Sequence, residues 1–243
     1  MIKLTDRLQV LADQIEKNET MADIGTDHGF LPIYLWENGI SPRVIMSDVS
    51  AGSLKKAEIN AATLHPDAVF DLRLGNGIQV LENGEVDAVV LAGMGGILMT
   101  EILEADPEKS QSFHKYIFQP RSGQGRLRWW LVNNGFPIVH EALVREGKYI
   151  CEIITARPER ICSMGNIAPV SRVMEGCGPD DIQYEVPPWI LSAGELTEAH
   201  IKNKLSAERK ILSGLGKSKN VDEEKVRFTE NRIKYLTVLL GGV

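Results

Sequence analysis

No stretch of the 243-residue chain reaches the run of about 18 apolar residues that a membrane-spanning helix needs, so no membrane association is expected. The first residues, MIKLTDRLQVLADQIEKNE, carry charged flanks and helix-spaced apolar positions, which is not the pattern of a secretion signal. Cysteine is scarce: Cys151, Cys162 and Cys177 are the three present. Their number is odd and their spacing is not that of metal ligands. They read as reduced thiols in a cytoplasmic protein, and without a His/Cys cluster no zinc or other metal is expected. The chain also lacks an internal repeat and a low-complexity tract, and no obligate protein partner is evident.

Basic residues are in short supply over most of the chain. Residues 1–190 hold 17 Lys and Arg against 26 Asp and Glu, whereas residues 191–243 hold 10 against 7, and the whole carries −6. A basic end on an acidic body points to a polyanionic partner. A solvated helical surface would produce the same excess.

What is present is alternation. Leu4, Leu8, Leu11 and Ile15 mark one face of an opening helix. Short apolar runs at 20–25, 43–49, 69–75, 86–93 and 115–120 then read as strands, separated by helical stretches at 30–38, 51–64, 95–105 and 122–134. This repetition predicts an α/β fold built on a mostly parallel sheet covered on both faces. Segments 136–144 and 147–157 predict an antiparallel hairpin at one sheet edge, turning at 145–147. Residues 159–190, with Pro169, Pro179, Pro187 and Pro188, read as a loop-rich connection after a catalytic domain spanning 1–158. Ile201, Leu205, Leu212 and Leu215 share one helix face; Val226, Ile233, Leu236 and Leu240 share another, after the break at 214–220. Residues 191–243 therefore predict an antiparallel, coiled-coil-like helical hairpin.

The informative turn is ADIGTDHGFLP, Ala22–Pro32. Strand, glycine loop and helix in that order let a ligand approach the backbone and free helix N–H groups closely. The spacing is G-x-x-x-G rather than the G-x-G-x-x-G of a pyrophosphate site. Asp23 and Asp27 flank it, and acids beside a phosphate repel it. A cationic ligand without phosphate, such as S-adenosylmethionine, fits better. Asp48 ends the second strand and suits ribose hydroxyls, as it would in a nicotinamide dinucleotide site also. Asn76 follows the third strand with an amide able to read an adenine edge, and LAGMGG (91–96) ends the fourth. In such sheets ligands gather at the carboxyl ends of strands.

These residues carry a resemblance. With Arg7-Leu8, ADIGTDHGFLP, GNG (75–77), AGMGG (92–96), QP (119–120) and the helical tail, the chain resembles the class I S-adenosylmethionine-dependent methyltransferases. More narrowly, it resembles the bacterial tRNA (adenine(22)-N1)-methyltransferase family, over nearly its whole length. The resemblance implies a Rossmann-like catalytic domain with a seven-stranded sheet, a coiled-coil appendage, and methyl transfer to N1 of adenine 22. By position, it implies that Asp23, Gly25, Asp27 and Gly29 line the methionine end, that Asp48 takes the ribose and Asn76 the adenine, and that Gly93, Met94 and Gly95 pass beneath the sulfonium. Thr26, Val49, Gly75 and Gly77 complete the implied cofactor set. Asp27 departs from the wider class, which commonly has glycine there. The Asp/Asn-Pro-Pro-aromatic motif of exocyclic-amine methyltransferases is absent. That absence suits N1, whose in-plane lone pair attacks without help, so positioning and electrostatics carry the reaction. Asp27 is the first candidate to stabilise the cationic base, and His28 to contact it or move a proton.

Arg7, Arg121, Arg126, Lys202, Arg209, Lys217 and Lys219 are the candidate RNA contacts, with Arg128 beside them; Trp129 and Trp130 read as core. Two other functions stay open on the sequence: a small-molecule methyltransferase, which needs no basic hairpin, and a non-enzymatic RNA-binding protein with a degenerate cofactor site.

Overall fold

A computed structural model describes residues 2–217 and 222–241. Its centre is one seven-stranded sheet in the order β3-β2-β1-β4-β5-β7-β6. The strands are β1 (Met21–Ile24), β2 (Val44–Asp48), β3 (Asp71–Leu74), β4 (Ala88–Gly95), β5 (Lys115–Ser122), β6 (Ile138–Glu146) and β7 (Tyr149–Ala156). The pairings β1–β2, β1–β4, β2–β3 and β4–β5 are parallel, and β7 runs antiparallel to both β5 and β6. The expected mostly parallel sheet with an edge hairpin is what forms, in a Rossmann-like arrangement.

The helices are α1 (Asp6–Ala12), α2 (Phe30–Glu37), α3 (Ala51–Leu64), α4 (Gly96–Glu104), the single turn α5 (Pro107–Ser110), α6 (Gln124–Asn133), α7 (Glu159–Gly165), the single turn α8 (Ile182–Glu185), α9 (Thr197–Leu215) and α10 (Glu223–Leu240). The strand pattern explains why they cover both faces. Alternate residues point oppositely, so Val89 and Leu91 of β4 pack with Met99, Leu103, Leu127 and Leu131 of α4 and α6. Ala88 and Val90 pack with Leu11, Leu31 and Leu35 of α1 and α2. Strands buried on both sides have no polar face to display, and β1 and β2 are buried at every position.

Two boundaries differ from the sequence reading for local reasons. The hairpin turns at Gly147–Lys148 rather than 145–147, because Arg145 and Glu146 still pair with Ile150 and Tyr149. Gly147 takes the positive φ of +59° that the turn requires. At the other end, α1 stops at Ala12, although Leu4, Leu8 and Ile15 do join the core cluster expected of that helical face.

Residues 159–190 are loop-rich, as expected, with the short helices α7 and α8 among the loops. The N–H groups of Val170 and Ser171 donate to the Ile138 carbonyl, and the Ser171 hydroxyl accepts from the Ile138 N–H at 2.8 Å. The segment thus covers the start of edge strand β6. Ile182, Val186 and Ile190 share a third core with Ile201 and Leu205 of α9 and Leu236 and Leu239 of α10. The two last helices pack antiparallel, with Arg232 of α10 reaching Glu208 of α9 at 2.8 Å. The connection and the helical arm form one packed body.

Candidate active site

The loop after β1 is set by backbone geometry. Gly25 and Gly29 adopt φ of +82° and +71°, and Asp27 between them adopts +45°, a left-handed conformation that Asp tolerates better than most residues. A Cβ on Gly25 would lie 2.9 Å from Met94 Cε, and one on Gly29 would lie 2.9 Å from Met46 Sδ. The N–H groups of Gly25 and Thr26 both donate to the Ser47 carbonyl. The Asp27 N–H donates to Asp48 Oδ2 at 3.3 Å, and the Ser50 N–H to Oδ1 at 2.8 Å. The acid ending β2 therefore clamps the loop ending β1. The reversal of strand order between β1 and β4 places this loop at the switch point of the sheet.

A cavity of about 360 Å³ opens there, lined by Asp23, Gly25, Thr26, Asp27 and His28 from the loop, by Ala92 and Gly93 of β4, and by Arg7 and Arg121. Asp23 is buried, and its carboxylate accepts from the Thr26 hydroxyl at 2.7 Å. Burial pushes its carboxyl up to about 6; the Thr26 bond opposes that, the charge of Asp48 adds to it, and Arg7 opposes it. A buried acid that ionises with difficulty, facing a cavity, is the feature a cationic ligand relieves.

The remaining cofactor candidates fall into two sets. Asp48, Val49, Gly75, Asn76 and Gly77 adjoin one another at the carboxyl ends of β2 and β3, where the Gly75 N–H donates to the Asp48 carbonyl. They lie outside the cavity, on an open shelf where Val49 and Asn76 are exposed. Gly29, Met94 and Gly95 do not line the cavity. Met94 packs beneath Gly25 and against the core, Gly29 against α3, and Gly95 caps α4. Gly93, at φ +79°, does line it.

The two catalytic candidates touch each other, and Asp27 is also ion-paired with Lys56. Asp27 Oδ1 meets Lys56 Nζ at 2.9 Å, and Oδ2 meets His28 Nε2 at 3.3 Å. The Lys56 hydrogen bond is the chief reason that its carboxyl titrates below the usual range. The His28 ring stacks on Phe30 with centroids 5.4 Å apart.

The RNA candidates fare unequally. Arg121 is exposed at the cavity mouth. Arg7 is turned inward: its Nε donates to Glu146 Oε2 at 2.7 Å and its Nη1 to Gln119 Oε1 at 3.1 Å. Arg126 is held bidentately by Asp180, and Lys202 pairs with Glu198. Arg209 and Lys217 are exposed; Lys219 lies outside the described residues. The reading of Arg128 as a phosphate contact is corrected. It is fully buried, with its guanidinium on Glu141 at 2.8 Å, on Glu152 at 2.6 Å and on the Tyr184 carbonyl at 3.1 Å. Trp129 and Trp130 are half-buried, and Trp130 stacks on Phe136.

Sequence reasoning missed a second chamber. A cavity of about 400 Å³ adjoins the first across Arg7 and Arg121, and is also lined by Gln119, Pro120, Gln124, Glu146, Tyr149, Ile150 and Cys151. The QP pair signalled it, but Glu146 carried no local signal. A larger cavity, about 490 Å³, is lined by residues of α6, α8 and the arm, with Phe228 and Arg232 on its wall.

The family model for a methyltransferase domain matches residues 4–154. A tRNA (adenine(22)-N(1))-methyltransferase of Bacillus subtilis is 32% identical over 155 residues, which are 64% of this chain and 65% of that protein's length. Among solved structures, an uncharacterized protein from Listeria monocytogenes serotype 4b is 28% identical with a TM-score of 0.83, over 98% of this chain and 100% of that one. The Bacillus subtilis m1A22 tRNA methyltransferase is similar in fold, with a TM-score of 0.81 at 24% identity over 99% of this chain and 100% of that one. The likeness of fold thus runs on through the helical arm.

Proposed function

The chain belongs to the methyltransferase-domain family, and on that premise we propose that it transfers the methyl group of S-adenosylmethionine to N1 of adenine 22 in tRNA, the reaction that names its Bacillus subtilis relative. The observation that carries the reading is the acid-walled cavity at the switch point, with buried Asp23 raised to about 6. Asp23 and Asp27 on its wall favour the cationic end of a nucleoside, and Arg7 beside them is already paired with Glu146.

The residues fit that cofactor, which supplies an electrophilic methyl group on sulfur. Asp23 faces its cationic end, and the Gly25–Gly29 turn brings backbone close to it. Asp48 accepts from ribose hydroxyls while holding the Asp27 N–H, and the Val49–Asn76 shelf receives the nucleoside base. Gly93, with no side chain, leaves space between the two chambers. On the substrate, the N1 lone pair forms the new C–N bond, the electrons of the S–C bond stay on sulfur, and no proton need leave. The protein therefore has to align two partners and stabilise a positive charge that appears on adenine.

The substrate base has to leave its place in the folded RNA to reach such a site, as for other enzymes that act on bases. The arm carries exposed Arg209, Lys210, Lys217, Arg227 and Lys234. These supply the sequence-independent phosphate contacts that position an RNA. Incubation with tRNA and labelled S-adenosylmethionine, followed by mapping of the modified base, tests the function. Label at N1 of adenine 22 is expected; label on another base, or none on RNA, overturns it.

A further inference from the structure

The cofactor cavity accounts for one side of the methyl group, and the adjoining chamber is open for the other. Both lie at the carboxyl edge of the sheet: β6 runs parallel with β5, so Glu146, its last residue, sits on the same edge as Gln119 and Pro120. The chamber of about 400 Å³ is on the scale of sites that enclose small ligands. Its polar groups are organised from within. Gln119 is buried, with Oε1 accepting from Arg7 and Nε2 donating to the Pro120 carbonyl at 3.3 Å. Glu146 Oε2 takes the Arg7 Nε, and among the described residues Oε1 takes only a 3.3 Å contact from the Thr5 hydroxyl. Oε1 thus keeps the capacity to accept from a ligand.

We propose that this second chamber receives the target adenine, that Glu146 accepts a hydrogen bond from its N6 amino group, and that Arg7 is the positioning residue that holds Glu146 and Gln119 in place between the two chambers. The inference rests on the proposed function and assigns the acceptor half of that site. N6 and N1 are neighbours on the ring, so a group bonded to N6 also aims N1. As N1 takes the methyl group, positive charge spreads over N1, C6 and N6. The Glu146–N6 bond then strengthens, which lowers the barrier rather than merely tightening binding. Guanine would instead present its O6 acceptor to a carboxylate and be rejected. Asp27 is the less suitable acid: both its oxygens face cations or His28, and it lines the cofactor cavity but not this chamber.

The test is a cycle between protein and base. Single-turnover methylation is measured with saturating S-adenosylmethionine, on tRNA carrying adenine or purine, which lacks N6, at position 22. Glu146→Ala and the near-isosteric Glu146→Gln are compared with the unsubstituted protein. On adenine, Glu146→Ala is expected to slow methylation about 10- to 100-fold, the worth of a hydrogen bond to a charged group. On purine it should change little, so the two effects are strongly non-additive. Arg7→Lys should show the same coupling to N6, because a lysine cannot bridge two acceptors as a guanidinium does. Cofactor affinity should be unchanged in Glu146→Gln, which also reports that the fold is intact. Additive effects overturn the proposal, as does coupling to N6 that appears with Asp27→Asn instead. Failure of the unsubstituted protein to methylate adenine 22 would overturn the function itself, and is seen before any variant is made.

Discussion

Asp23 is a side chain whose charge the fold resists and, in the proposed function, a cationic cofactor favours. Its carboxyl lies at about 6 rather than 3.8, chiefly through burial. A raised acid binds its proton more tightly in the folded state. Its stabilising contribution is complete below about 3.8 and is lost as pH rises through about 6. Two outcomes follow. Asp23→Asn should raise the melting temperature of the ligand-free protein above pH 6, by an amount on the order of 1–3 kcal/mol in stability, while weakening cofactor binding. In the native protein, calorimetry across pH should show S-adenosylmethionine affinity falling as pH drops below about 6, because a cation binds the ionised form. A flat profile would remove Asp23 from the site. Asp48→Ala acts differently: it removes the acceptor proposed for ribose and releases the Asp27 and Ser50 N–H groups. At about 1.5–3 kcal/mol for a bond to a charged group, the dissociation constant should rise roughly tenfold or more.

At the scale of elements, the arm is attached through charge as well as apolar contact. Arg128 of α6, Glu141 of β6, Glu152 of β7, His200 and Lys204 of α9, and Glu185 of α8 meet in one cluster, with Trp189 donating to Glu141 at 2.9 Å. Burial would raise Glu152, yet Arg128, Lys204 and His200 hold it down at about 2. Burial lowers His200, whose Nε2 has no hydrogen-bond partner. Both groups titrate below their unfolded values, so both stabilise the protein at neutral pH and that contribution is lost as pH falls. The His200 share begins to go below 6.5, the Glu152 share between 4.5 and about 2. Asp23 contributes with the opposite sign over part of this window, so the test uses the Asp23→Asn background: there the melting temperature should fall on acidification from neutrality, and adding His200→Gln should flatten the first part of that fall. Arg128→Ala strips the guanidinium from two buried carboxylates, leaving Glu141 to the Trp189 N–H and Glu152 to the more distant Lys204 and His200, and should cost about 3–5 kcal/mol, read by denaturant unfolding. This cluster was illegible in the sequence because its partners come from five elements far apart in the chain. Helical spacing alone cannot say that a strand pair and a later helix will close over Arg128. The strands and the Ala22–Pro32 loop were legible, since apolar runs and glycine chemistry act locally. Glu146 was not, because its role depends on where an edge hairpin puts its tip.

For the whole molecule, the charge asymmetry of the sequence is partly spent internally. Lys202, Lys204, Lys225 and Arg232 have carboxylate partners within the chain. Deleting the arm would also expose Ile182, Val186 and Ile190 and open the Arg128 cluster, so truncation confounds RNA binding with stability. Charge reversal is the cleaner probe. Arg209→Glu with Lys217→Glu, both on exposed positions, should weaken tRNA binding and leave cofactor affinity unchanged. It should also lower the slope of log affinity against log salt by about 0.7–0.9 for each phosphate that is no longer neutralised. Unchanged affinity and slope would place the RNA elsewhere on the surface.

The strand order has a consequence for synthesis. β7 lies between β5 and β6, although β6 precedes it in the chain. β6 has no seat on the sheet until β7 exists, so the hairpin docks as a unit. On a ribosome, every strand that builds the cofactor loop is made well before residues 149–156 appear. Throughout that interval the outer edge of β5, with Tyr116, Ile117 and Phe118 destined for complete burial, lacks its partner. Such an edge recruits other chains. The nascent protein is thus open to edge-to-edge association after the Ala22–Pro32 loop has been made and before its last strand has emerged.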